Sequence, residues 1–279
     1  MDLKTWFITG ASSGFGHAFS EHAIEKGHNV VATARRVAQL DSLRALAPDR
    51  VLTCELDVTQ PQQVENAVKQ AFGRFSSIDV LVNNAGYGIV GAFEETSDAE
   101  LRAQLETNFF GSMNLIRSVL SMMRERGSGA IVNISSMGGQ MSFAGFSAYS
   151  ASKFALEGVS EALAQEVAPF GIKVLIVEPG QFRTNLAGDG MRHMPEISAY
   201  EQTVGATRAF AHSMHGTQPG DPRKAAVVIE AALKSEKTTL RLPLGSDAID
   251  AIRKHAQWIL ADIAQWEDLA SDTRIDETN

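Results

Sequence analysis

Residues 5–16 read TWFITGASSGFG. An apolar-rich run meets a glycine turn, and a helical pattern follows over about residues 15–26. The order strand, glycine turn, helix matters because of where Gly10, Gly14 and Gly16 fall. Glycine permits tight turning and lets a ligand approach the backbone closely. The N-terminus of the following helix offers free N–H groups and the positive end of the helix dipole to a pyrophosphate. The spacing differs from the usual G-x-G-x-x-G fingerprint, and three glycines alone are a weak signal; their position between strand and helix is what raises it.

Outward from this unit the same alternation recurs. HNVVATA, RVLTCELDV, IDVLVNNAG, GAIVNISS, IKVLIVEPG and TTLRLPLG read as strands, with helical stretches between them. One helix opens at Pro61, a residue suited to a first helical position; a long periodic stretch runs near 97–126, and another helix covers 149–169. Strands alternating with helices imply right-handed crossovers and a parallel sheet. Nearly continuous apolar strands imply a sheet buried on both faces. The expected architecture is a doubly wound α/β domain of Rossmann type, a single unit over residues 1–279. Residues 181–220 carry no strand signal, and a loop of that length reads as a substrate lid. Residues 246–267 read as a C-terminal helix with Ile249, Ile252, Trp258, Ile259, Ile263 and Trp266 at apolar positions, followed by a polar, fraying tail, SDTRIDETN.

Composition narrows the function. With 44% hydrophobic and 21% charged residues the chain can bury a sizeable core. A formal net charge of −8 argues against a general nucleic-acid binder. Cys54 is the only cysteine, so neither an intrachain disulfide nor a cysteine metal cluster is available. The N-terminus lacks a long apolar targeting segment, and nowhere do roughly 20 apolar residues run together. These features predict a cytoplasmic protein with no membrane or nucleic-acid partner. His193, His212 and His215 cluster in the 181–220 insertion without a carboxylate pattern, so no metal site is expected.

The second strand discriminates between cofactors. A site for NAD generally has an acidic residue about 20 positions after the glycines, which binds the ribose 2′-hydroxyl. Here the strand ends VVATARR, with Arg35 and Arg36 and no acid. A guanidinium suits a 2′-phosphate, so NADP is expected rather than NAD.

At the other end of the sheet YSASK places Tyr149 and Lys153 one helical turn apart. Alone this is a common surface pair. It stands, however, with Ser136 at the end of GAIVNISS, NNAG at 83–86, Asn108 in NFFG, and the PG of residues 179–180. As a set these motifs resemble the short-chain dehydrogenase/reductase family, from about Thr5 to Thr184, and within it the group containing hydroxysteroid and retinol dehydrogenases. The resemblance implies that Tyr149 is the general acid/base, that Ser136 binds the reacting oxygen, and that Lys153 binds the nicotinamide ribose and lowers the phenol's pKa. Asn108 would support a water that leads protons away. The loop Gly10, Ser12, Ser13, Gly14, Phe15 and Gly16 would carry the pyrophosphate. Asp57 and Val58 would contact adenine, while Asn83, Ala85 and Gly86 flank the adenosine ribose. Pro179, Gly180, Phe182 and Thr184 would hold the nicotinamide end.

A free phenol, with pKa near 10, is a poor base. An ammonium about 5 Å away at an effective dielectric near 20 would favour phenolate by roughly 3 kcal/mol, or about 2 pKa units. The substrate is expected to be a bulky apolar secondary alcohol or ketone, received by an apolar lid containing Phe182, Met191, Met194, Tyr200, Phe210 and Met214. The resemblance also implies a homodimer or homotetramer paired through the 97–126 and catalytic helices. Two other classes use similar parts: an epimerase or lyase, which would carry a different glycine spacing, and a cofactor-sensing binding protein, which would lack the tyrosine or lysine.

Overall fold

The computed structural model describes residues 3–236 and 239–275. Its strands are β1 (Thr5–Ile8), β2 (Asn29–Ala34), β3 (Val51–Glu55), β4 (Val80–Asn83), β5 (Gly88–Val90), β6 (Gly129–Ile134), β7 (Ile172–Pro179), β8 (Met191–His193) and β9 (Arg241–Leu244). The helices are α1 (Gly14–Glu25), α2 (Asp41–Leu46), α3 (Pro61–Phe75), α4 (Asp98–Leu105), α5 (Gly111–Arg126), α6 (Ser147–Val167), α7 (Glu201–Ser213), α8 (Pro222–Lys234) and α9 (Ser246–Ser271). Seven strands form one parallel sheet in the order β3-β2-β1-β4-β6-β7-β9. The order reverses between β1 and β4, the kind of switch point beyond which open α/β sheets bind their ligands.

Alternation along the strands builds two cores. Trp6 and Ile8 face a cluster with Phe19, Ala23 and Ile24 of α1, Leu43 of α2 and Ile229 of α8. Phe7, between them, faces the opposite cluster, with Val64 and Val68 of α3, Ile116 and Val119 of α5, and Leu156 and Leu163 of α6. Both faces of the sheet are therefore covered, which is why its strands carry almost no solvent-facing polar positions. The chain is a single doubly wound α/β domain.

Three expectations change. The 181–220 stretch is not strand-free: β8 pairs in parallel with β5, and α7 follows. Each of these strands has only three residues, too few to show periodicity in sequence. The helix α8 has no counterpart among the sequence-based elements, although its start carries a cap: the Asp221 side chain accepts from Arg223 N, with Pro222 in the first turn. The C-terminal helix runs on to Ser271 instead of stopping at 267. Of the tail expected to fray, Asp272–Ile275 has no regular structure, and residues 276–279 lie outside the described residues.

The long rod from 97 to 126 is also not one regular helix. Between α4 and α5, residues Glu106–Phe110 form a wider π-turn, and Asn108 sits inside it. Such turns free side chains from the regular ladder and recur at functional sites.

Candidate active site

The carboxyl ends of the strands open onto one cavity of about 1050 Å³. Its wall includes Gly10, Ser12, Ser13, Gly14, Phe15, Arg35, Arg36, Asp57, Val58, Ala85, Gly86, Ser136, Tyr149, Lys153, Pro179, Gly180, Phe182 and Thr184. Three of the expected site residues stand behind that wall. Gly16 is buried in the turn, where an added Cβ would lie 2.4 Å from the Gly10 carbonyl oxygen. Asn83 points into the sheet and donates to Asn133 Oδ1 at 2.8 Å. Asn108 is also buried.

The glycine turn is held open from below. Gly10 has φ +64° and Gly14 φ +55°, the left-handed region that only glycine enters cheaply. Asn84 Nδ2 donates to Thr9 O at 2.8 Å and Gly10 O at 3.2 Å, tying β4 to the turn. Asn84 was not among the expected residues; its neighbour Asn83 was. At the helix start, the Ser13 side chain makes no capping bond, so the first-turn N–H groups of α1 face the cavity uncapped. This fits a pyrophosphate.

At the reacting end β6 stops at Ile134, and Ser135 and Ser136 follow. Ser136 Oγ accepts from Gly138 N at 3.0 Å. Tyr149 enters from the first turn of α6 and lies across from it. One turn later the Lys153 ammonium donates to Ile134 O at 2.8 Å, which leaves two N–H donors for a ligand on the cavity side. That pair of free donors fits a ribose diol. Asn108 supports this helix: its Nδ2 donates to Ser152 Oγ at 3.0 Å and to Tyr87 O at 3.0 Å, and its Oδ1 accepts from Tyr87 N at 3.1 Å. Ser152 Oγ in turn donates to Tyr149 O at 2.7 Å.

The electrostatics correct one expectation. Lys153 Nζ lies 5.8 Å from the centroid of the Tyr149 ring, yet the phenol's pKa is raised, not lowered. Burial pushes it up, and a hydrogen bond with Ser136 pulls only partly back. Removing phenolate from water costs more than that hydrogen bond returns. The ammonium itself is drawn down to about 8 by burial, opposed by Glu157. At neutral pH the chain thus presents a neutral phenol beside a cationic amine.

Behind Lys153 lies a buried polar cluster that no motif announced. Ser135 Oγ donates to Glu157 Oε1 at 2.6 Å, and Gln140 Nε2 bridges Glu157 Oε2 at 2.7 Å and Glu178 Oε1 at 3.0 Å. Arg241 Nε reaches Glu157 at 3.1 Å and Glu178 at 3.5 Å, so β9, β7 and α6 are locked together. Burial and the adjacent Glu157 carboxylate push Glu178 up to about 8. A carboxyl raised above its ordinary value favours the folded state fully only at pH below that value. The advantage is lost as pH climbs towards about 8. Glu178→Gln, which mimics the protonated acid, should therefore gain melting temperature relative to the parent as pH rises from about 5 to 9. A constant difference across thermal melts in that range would contradict this.

The 181–220 segment forms one side of the cavity. Phe182, Met191, Phe210 and Met214 line it, facing Phe143 and Phe146 across the opening. Two of the expected lid residues do not: Met194 packs with Ile89 and Ala148, and Tyr200 donates to Glu94 Oε2 at 2.6 Å. The segment is anchored. Buried Glu95 receives Ile197 N at 2.7 Å and pairs with Arg208, and Arg192 pairs with Glu100 at 3.0 Å. At the other edge Asp247, at the start of α9, accepts from Gln181 N at 2.7 Å. His193 and His212 stack at 4.0 Å between ring centroids. Among the described residues no group of three or more His, Cys, Asp or Glu side chains is placed to hold a metal ion, and no helix is long and apolar enough to cross a membrane.

Comparison with known proteins agrees with this geometry. The profile of the short chain dehydrogenase family matches residues 4–195. An oxidoreductase of Botryotinia fuckeliana is 40% identical over 269 residues, covering 96% of this chain and 98% of its own. The 3-ketodihydrosphingosine reductase of Bacteroides thetaiotaomicron is 37% identical over 272 residues, covering 95% and 97%. The crystal structure of a short-chain dehydrogenase from Streptomyces avermitilis superposes with a TM-score of 0.92 at 52% identity, covering 98% of this chain and all of the other. With the glycine turn, the Ser136, Tyr149 and Lys153 side chains and this ancestry in agreement, the chain belongs to the short-chain dehydrogenase/reductase family of oxidoreductases.

Proposed function

We propose that the protein is an NADP-dependent oxidoreductase interconverting a ketone and a secondary alcohol, and that at neutral pH it acts as a reductase of bulky, apolar carbonyl compounds. One observation carries the proposal: the glycine turn, the Arg35–Arg36 pair, and Ser136, Tyr149 and Lys153 all open onto a single cavity.

NADPH, when bound, supplies the hydride. The protein's own groups position and protonate. The uncapped N–H groups of α1 hold a pyrophosphate, and Arg35 and Arg36 at the cavity rim hold a 2′-phosphate. The two remaining Lys153 donors hold a ribose. Ser136 Oγ orients the carbonyl oxygen, and the Tyr149 hydroxyl delivers its proton. Burial favours the protonated hydroxyl, so Tyr149 can begin a reductive cycle as the acid. The chain from Asn108 through Ser152 to the Tyr149 carbonyl fixes the helical turn on which the acid sits.

The cavity's outer wall supports the substrate class. Phe143, Phe146, Phe210, Met191 and Met214 offer aromatic and thioether surface, and methionine adapts to varied shapes. We assign residues 181–220 as the substrate lid, pinned at Glu94, Glu95 and Glu100. A relative named for reducing a ketone, 3-ketodihydrosphingosine, points the same way. The test is direct: purified protein, NADPH and a panel of small, aryl and long-chain ketones, read at the nicotinamide absorbance. Consumption should be fastest with bulky apolar ketones. Tight NADPH binding with no consumption across the panel would overturn the assignment.

A further inference from the structure

The helix α9 packs on the body only at its beginning. Ala248 is fully buried, and Ile252 and His255 are half-buried. From Ala256 to Ser271 every residue is exposed, a rod of about 24 Å standing free of the domain. Its exposed side chains include Trp258, Ile259, Leu260, Ile263, Trp266 and Leu269, the last of these 72% accessible. A helix in a protein owes most of its stability to the packing of an apolar face, and this stretch has none of its face covered.

The apolar positions are not scattered. Ile252, Ala256, Ile259, Ile263, Trp266 and Ala270 follow each other at alternating intervals of four and three residues, the seam of a coiled coil. The seam continues the face that α9 already buries against the body. It is also self-complementary in the antiparallel sense. About a centre at Ala261, an antiparallel copy sets Ile259 against Ile263, small Ala256 against large Trp266, and Ile252 against small Ala270. Charge follows the same polarity. Within residues 252–270, Arg253, Lys254 and His255 lie in the first half and Asp262, Glu267 and Asp268 in the second; Asp247 and Asp250 precede the seam, Asp250 pairing with Arg253 at 3.2 Å. Arg253 and Glu267 share one flank of the seam, where antiparallel partners face each other with opposite signs. On the other flank the antiparallel pair brings the two Asp262 side chains together once, whereas a parallel pair would bring Asp262 of one helix beside Glu267 of the other twice.

We propose that α9 is an interface on which two copies of this chain pair antiparallel, burying this seam across a two-fold axis near Ala261. The occupant is a second identical chain, as expected of an isologous contact. This surface is separate from the α5 and α6 faces, and the proposal does not depend on the reaction assigned above.

Two measurements on the full chain test it. Ile259→Asp places charges at the seam centre, far from the cavity. It should halve the mass of the assembled species in sedimentation equilibrium without moving the main thermal transition. For register, Ala256→Cys and Trp266→Cys are made as separate proteins; Cys54 is buried and does not compete. Mixed under oxidising conditions, the two should cross-link to each other. Neither should cross-link to itself, because like positions lie about 15 Å apart in this register. The proposal fails if Ile259→Asp leaves the mass unchanged. It fails equally if each cysteine protein cross-links only with itself, which signals a parallel pair. It also fails if the helix instead carries the unassociated chain onto phosphatidylcholine–phosphatidylglycerol vesicles.

Discussion

Tyr149→Phe should lower ketone reduction by about 10²–10⁴-fold, the ordinary contribution of a positioned general acid. NADPH affinity should stay within about threefold, because the ring and Lys153 remain. The loss is expected to fall on turnover and not on KM, since the proton moves only as the carbonyl is reduced. No neighbour can take over. Ser136 has a hydroxyl at the same oxygen, but serine is far too weak an acid at neutral pH, and Lys153 is held by Ile134 O and by the ribose it is proposed to bind. The packing cost is small: the ring keeps its edge contact with Phe146, 6.3 Å between centroids. Single-turnover kinetics with cofactor titration separates the two effects. Undiminished turnover would remove Tyr149 from the proton path altogether.

The second large effect is expected at the cofactor's far end. Arg35 and Arg36 are both exposed at the cavity rim, and among the described residues neither pairs with a carboxylate. Two guanidinium groups without a carboxylate partner at one cavity rim can both gain from an anion bound there. Each hydrogen bond to a charged phosphate contributes about 1.5–3 kcal/mol. Replacing both arginines by alanine should therefore weaken NADPH by about 100-fold or more while changing NADH by less than about threefold. Raising ionic strength should narrow the parent's preference, because exposed charges are screened. Equal weakening of the two cofactors would show that the arginines do not read the 2′-phosphate.

Much of this architecture is legible in sequence because the physics is local. β6 and β7 are buried on both faces, so they show as nearly continuous apolar runs, and Pro61 marks the start of α3 correctly. The Tyr149–Lys153 spacing is likewise a property of one helix. What stays hidden depends on assembly. β5 and β8 hold three residues each and exist only because they find one another. Gln140, Glu157, Glu178 and Arg241 are far apart along the chain, so the carboxylate cluster behind Lys153 has no motif. α8 is a different case, since its start carries a local signal, Asp221 as cap followed by Pro222. The direction of the Tyr149 shift is hidden for a third reason: spacing gives the distance to a charge but not how much water the fold removes.

The π-turn at Glu106–Phe110 has a consequence for how this chain tolerates change. It holds one more residue than a regular turn would, and each residue advances a helix by about 100°. Upstream, Gln104 is aimed at the Tyr87 carbonyl, 2.7 Å away; downstream, Leu115, Ile116, Val119 and Met123 must face the sheet. A uniform helix could not point both groups correctly. Forcing all of these residues into a regular helix would swing one end about 100° out of phase with the other, whereas removing one residue would keep the phase but abolish the widened turn that places Asn108.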